Sequence, residues 1–139
     1  MYTVKQVTAL LGLSAHTVRY YTDMDMIPTL KRDKNNNRLF DEEAMNWMKA
    51  IKILRGCGMS LEAIRYYLDL CLKGDSTIGE RYEIFKKQKA LVDKRIREIR
   101  QHADFLDMKL IHYKEIMDNQ IPDDTNPAKW TVKPERVEV

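Results

Sequence analysis

Twelve positions near the middle of the chain restrict its architecture more than anything else in it: 78, 82, 85, 89, 92, 96, 99, 103, 106, 110, 113 and 117, spaced alternately by four and three. They read Ile78, Tyr82, Phe85, Lys89, Val92, Ile96, Ile99, Ala103, Leu106, Leu110, Tyr113 and Met117. This is the a/d seam of a coiled coil, interrupted only by Lys89. Forty residues of helix extend roughly 60 Å at ~1.5 Å per residue. The residues before position 77 make a body too small to cover such a stripe. The seam is therefore expected to bury against a second copy of itself, chiefly through Tyr82, Phe85, Val92, Ile96, Ile99, Leu106, Leu110 and Tyr113. Packing back onto its own domain is the alternative.

Ahead of the seam the pattern is that of short helices. Thr3 and Gln6 have capping-box spacing, and Val4, Val7 and Leu11 follow on one side before Gly12 stops the turn. Ser14 is the next N-cap, opening a helix through HTVRYYTD. Ala15, Val18 and Tyr21 are expected to face the first helix, leaving His16, Thr17, Arg19 and Tyr20 towards the other side. That is a helix-turn-helix. Leu30–Arg32 and Arg38–Phe40 read as two short strands around an asparagine-rich tip, where positive φ is tolerated. Asp41 then opens a helix carrying Ala44, Trp47, Met48, Ile51 and Leu54, and Ser60 opens another with Leu61, Ile64, Leu68 and Cys71. Thr77 and Glu80 suggest a second capping box. Prolines at 122, 127 and 134 end long helix beyond Met117, leaving Trp130 as the anchor of a tail. Three segments are expected: a helix-turn-helix domain over 1–75, a dimerisation helix over 76–119 and a tail over 120–139.

Net charge is only +3 and argues for no partner by itself. The local exception is KRDKNNNR, 31–38, with four basic residues to one acid. The opening MYTVKQV lacks a secretory leader, and no apolar run reaches membrane-helix length, so a cytoplasmic protein is expected. The two cysteines suggest no disulfide framework. No phosphate-cradling glycine loop and no nucleophile with a base and orienter occurs, which argues against an enzyme and against a bound cofactor. A DNA-reading helix needs an exposed face for the major groove and flanking donors that fix its register on phosphates. His16, Thr17 and Arg19 suit the first role, Tyr20 and the hairpin residues Lys31, Arg32, Lys34 and Arg38 the second. A small helical bundle with a solvated basic loop remains the other reading of these residues.

The run from Tyr2 to Cys71 resembles the N-terminal domain of the MerR family of transcriptional regulators. The residues that carry it are YTVKQVTALLGLSAHTVRYYTDMDMIP, then RDKNNNRLFDEEAMNWMKAIKILRGCGMSLEAIR. The resemblance implies a mainly α, dimeric winged helix-turn-helix with an antiparallel coiled coil. Residues 14–23 would be the recognition helix, 30–40 the first wing and 56–72 the helical part of the second. Ser14, His16, Thr17, Arg19 and Tyr20 fall on the groove- and phosphate-contacting helix, Asn37 and Arg38 on the wing tip. Family members bind a pseudo-palindromic promoter beside RNA polymerase and act by bending and untwisting it. Three departures stand out: Thr22 replaces a glutamate, Asp25 a glycine, and Asn36-Asn37 a glycine-tyrosine pair. Metal-sensing members use cysteines that this sequence lacks beyond Cys71, and His16, His102 and His112 form no ligand cluster, so no metal is expected.

The region 58–99 is similar to a short-tailed branch that answers aldehydes and other electrophiles, whose cysteine position is Ile53 here. Cys57 is the residue to watch for sensing, Cys71 for packing. Tyr66, Tyr67, Tyr113 and Trp130 are candidate contacts for a small effector. The rival from another class is a coiled-coil adaptor whose N-terminal domain binds protein.

Overall fold

A computed structural model describes residues 1–129. Its elements run β1 (Tyr2–Thr3), α1 (Val4–Leu11), α2 (Ala15–Asp23), β2 (Lys31–Arg32), β3 (Arg38–Phe40), α3 (Glu42–Gly56), α4 (Leu61–Lys73) and α5 (Ile78–Asn119), with 3-10 turns at Asp75–Thr77 and Pro127–Lys129. The chain divides into two compact units, the first Met1–Val92 and the second starting at Asp93.

Caps set most helix starts. Thr3 Oγ1 accepts from the Gln6 N–H (3.2 Å) while Gln6 Oε1 accepts from the Thr3 N–H (2.9 Å), the expected reciprocal pair. Ser14, Asp41 and Ser60 each accept from the backbone N–H three residues on, so α2, α3 and α4 begin where their N-cap residues predict. Gly12 ends α1 at φ 65°, in the left-handed region that glycine enters without Cβ strain. Asp25 takes the same region at φ 57° after α2, and Asn36 at φ 63° at the hairpin tip. Both are residue types that tolerate it.

Thr77 behaves differently from the expectation. It is buried, and its hydroxyl donates to the carbonyls of Leu70 (2.7 Å) and Gly74 (2.8 Å) instead of capping α5 with Glu80. The reason is the 3-10 turn at 75–77, which brings the end of α4 over the hydroxyl and satisfies carbonyls left open there. Glu80 instead accepts from the Tyr66 hydroxyl at 2.7 Å.

The sheet has three strands rather than the two of the hairpin. β1 joins β3 antiparallel, with Tyr2 opposite Phe40 and Thr3 opposite Leu39, and β2 lies on the other side of β3, giving the order β1-β3-β2. Phe40, Val7, Val18, Met48, Ile51, Met59 and Ile64 are the largest fully buried side chains, so the hydrophobic centre lies where α1, α2, α3 and α4 converge on β3. Lys52 Nζ donates to the Leu11 carbonyl and ties α3 to the turn of the helix-turn-helix.

The long helix touches the core only near its start, where Ile84 packs against it and Phe85 meets Tyr67. No residue of α5 is buried. Its seam side chains stand open: Tyr82 65%, Ile99 59%, Leu106 60% and Leu110 69% exposed. Isolated exposed apolar residues are ordinary, whereas a heptad stripe of them marks an interface. Among the described residues no helix is long and apolar enough to cross a membrane.

Candidate nucleic-acid interface

α2 divides as the expected two-faced helix does. Val18, Tyr21 and Thr22 are buried against the domain, while His16, Arg19 and Tyr20 are exposed. Ser14 and Thr17 are occupied with the helix start. The Ser14 oxygen accepts from the Thr17 N–H at 3.0 Å, and its hydroxyl donates to Thr17 Oγ1 at 2.8 Å. The outward set of α2 is thus a histidine, an arginine and a tyrosine within two turns, on a helix whose start is fixed by a cap.

A cleft lies on each side of this helix. One, about 260 Å³, is lined by Thr3, Val4, Lys5, Arg19 and the wing residues Asp33, Asn36, Asn37, Arg38 and Leu39. The other, about 230 Å³, is lined by His16, Thr17, Tyr20, Tyr21, Arg55 and Leu61. Both are open and of mixed lining, with polar and basic side chains at hand for phosphates beside apolar surface. Lys5 and Arg55 were missed by sequence reasoning. Each is a single basic residue on a helix assigned to packing, and only the tertiary fold places it beside α2.

The wing is held by its own side chains. Asp33 accepts from the N–H groups of Asn35 (2.9 Å) and Asn37 (2.8 Å) and from Asn37 Nδ2 (3.1 Å). The Asn37 N–H is the main cause that keeps the Asp33 carboxyl below the ordinary carboxylate range, with the Asn37 side chain and Asn35 N–H adding to it against desolvation. Arg32 Nη1 donates to the Asn36 carbonyl at 3.1 Å. Lys31 pairs loosely with Asp41 at 3.5 Å, its side chain still 57% exposed. Lys34 is exposed at the tip. Arg38 turns inward, with Nε donating to Thr22 Oγ1 at 2.7 Å and Nη2 to Asp23 Oδ1 at 2.6 Å.

The expected sensing residues are distributed. Tyr66 and Tyr67 both lie on α4, but Tyr67 packs edge-on to Phe85 at 5.0 Å between centroids while Tyr66 bonds Glu80. Burial, then the hydrogen bond with Cys71, raise the Tyr67 phenol above its ordinary value. Cys57 is exposed and lines an apolar hollow of about 290 Å³ with Leu54, Met59, Phe85 and Val92. Tyr113 belongs to the second unit, where the Lys109 ammonium lies 5.9 Å from its ring. Trp130 lies outside the described residues. Among the described residues no group of three or more His, Cys, Asp or Glu is placed to hold a metal.

A capped recognition helix, an antiparallel wing and a long seam-bearing helix define a winged helix-turn-helix protein. The chain belongs to the MerR HTH family of regulatory proteins, whose sequence profile matches residues 2–71; that of the MerR DNA-binding region matches residues 45–108. It is a DNA-binding transcriptional regulator and not an enzyme. An uncharacterized HTH-type transcriptional regulator of Haemophilus influenzae is 32% identical over 114 residues, 82% of this chain and 84% of that protein. Two solved structures are similar, each at 31% identity and over 86% of this chain. One is HiNmlR, a MerR family regulator lacking the sensor domain, bound to promoter DNA (TM-score 0.76, 90% of that chain covered). The other is a putative MerR family regulator from Listeria monocytogenes (TM-score 0.77, 92% covered).

Proposed function

We propose that the protein binds a pseudo-palindromic promoter as a homodimer and controls transcription by distorting the DNA between its half-sites, where RNA polymerase also binds. The observation that carries this is the exposed His16–Arg19–Tyr20 face of α2, flanked by two clefts, one holding Lys5, Arg19 and Arg38 and the other Arg55. Arg19 and His16 reach base edges or the adjacent backbone. Tyr20, Lys31 and Arg32 meet phosphates. Ser14, Thr17 and Asn37 act through the helix start and wing tip that they fix. Two recognition helices are then set apart by the paired α5 seams, and a spacer that does not match their separation must bend or untwist.

Charge supports the antiparallel pairing. Residues 86–100 of α5 carry seven basic and two acidic side chains, whereas 104–118 carry two basic and four acidic. Antiparallel packing sets the basic half of one helix against the acidic half of the other, and parallel packing sets like against like. The effector is a small molecule or electrophile, with the apolar hollow beside Cys57 as its site.

The test is a gel shift on the DNA flanking the protein's own gene. Arg19→Ala should weaken binding by about 1–3 kcal/mol if its contact is to a base edge. Equal binding by wild type and variant removes Arg19 from the interface. Failure of the wild type to prefer any sequence favours the adaptor reading.

A further inference from the structure

Two guanidiniums line the cleft between α2 and the wing, and their situations differ. Arg19 is exposed on the recognition helix. Arg38 is only 19% exposed, and its charge is met by the Asp23 carboxylate at 2.6 Å. Its Nε is bound as well, to a Thr22 hydroxyl that itself donates to the Arg19 carbonyl at 2.7 Å. Arg38 leads β3, whose register places it opposite Arg32 of β2. Its side chain therefore joins the base of the wing to the last turn of the recognition helix, through two neighbouring residues, Thr22 and Asp23.

We propose that Arg38 is a positioning residue that locks the wing to the recognition helix and makes no phosphate contact of its own. The inference rests on the DNA-binding reading above and assigns one of its residues. Three features of the molecule converge on it. A guanidinium already neutralised by a carboxylate offers little net charge to DNA. Nε and one Nη2 N–H are committed in one fork, and turning that fork to a phosphate would leave Thr22 Oγ1, in a buried residue, without its donor. The tip beyond Arg38 is independently braced by Asp33, so a single hinge-side lock sets the angle of a wing that is otherwise rigid. Asp23 has a matching role. It places a negative charge beside the interface, which is unfavourable towards DNA, and holding Arg38 compensates for it.

The two roles of Arg38 predict opposite outcomes. The probe is the duplex that the wild-type protein enriches from a random-sequence pool, with binding measured from low to moderate salt at a temperature where thermal unfolding shows every variant folded. If Arg38 positions the wing, Arg38→Ala and Arg38→Lys both weaken binding about tenfold per bound protomer, the size of one coupled contact, because lysine cannot hold Thr22 and Asp23 together. Asp23→Ala also weakens binding, the Arg38→Ala/Asp23→Ala double variant is no worse than either single one, and the slope of log K against log salt stays at the wild-type value. If Arg38 contacts a phosphate, Arg38→Lys retains binding, Asp23→Ala tightens it, and Arg38→Ala lowers the slope by about 1.8, about 0.9 for each of the two protomers. That result overturns the proposal. An unchanged Kd in all variants with only a lower melting temperature also overturns it, since the bridge would then be merely structural. A wild type that enriches no duplex refutes the DNA-binding reading itself, an outcome distinct from both.

Discussion

Ile99→Ala is the substitution that separates a self-associating seam from a solvated one. Ile99 stands 59% exposed in the single chain, near the middle of α5. Full burial of such a side chain stabilises by about 1.5–3 kcal/mol, so covering its open part returns about 1–2 kcal/mol. A two-fold interface loses the contact twice, which gives about 2–4 kcal/mol per dimer. That corresponds to about one and a half to three decades in Kd at 1.4 kcal/mol per decade. Sedimentation equilibrium over a concentration series measures it directly. Gln101→Ala, exposed on the same helix but outside the seam, is the control and should leave the association constant unchanged. A wild type that is monomeric at micromolar concentration would rule out a self-associating seam. So would an Ile99→Ala variant that dimerises as tightly as the wild type.

Other consequences follow from local geometry. Asp25→Val places a β-branched residue at φ 57°, where it costs about 1–2 kcal/mol more than the residue types suited to that region. For a small domain this lowers the melting temperature by about 4–8 °C per kcal/mol, although Asp25 is exposed and packs no core. An unchanged melting temperature would show that the turn does not require the left-handed conformation. Because Asp33 has a lowered pKa in the fold, its contribution to wing stability is fully present above the unfolded carboxylate value of about 3.9 and is lost as pH falls further, through the folded value. The Asn35 and Asn37 amide resonances should move together in that acid window, and Asp33→Asn should abolish the transition.

Much of this fold was legible locally. Capping residues mark the starts of α1 to α4 because each cap is a bond between residues three apart, visible as spacing. The Asn36 tip was readable because few residue types accept positive φ. The heptad stripe was readable because period and exposure coincide on α5. What escaped was non-local. β1 is two residues long, too short to show any alternation, and exists only because β3 pairs with it from 36 residues away, Thr3 against Leu39 at the near end. Thr77 matched a capping spacing, yet the end of α4 claimed its hydroxyl. The site was legible to the same degree. The outward face of α2 follows from helical periodicity, but the bridge that Arg38 makes does not, because sequence shows its charge and not the Asp23 that meets it. Thr22 and Asp23 are sixteen and fifteen residues before it, and only the return of the hairpin brings them together. Lys5 and Arg55 join the clefts for the same reason: their positions beside α2 are set by packing.

The most direct test of the account is a footprint of the wild-type protein on the promoter region beside its own gene, read at several salt concentrations together with the number of protomers per site. Two protected half-sites related by two-fold symmetry and filled by two chains are expected. Cleavage should be enhanced in the spacer between them, where the duplex is bent or untwisted, and protection should fall steeply with salt. A single protected segment occupied by one chain, or protection indifferent to sequence, would contradict it.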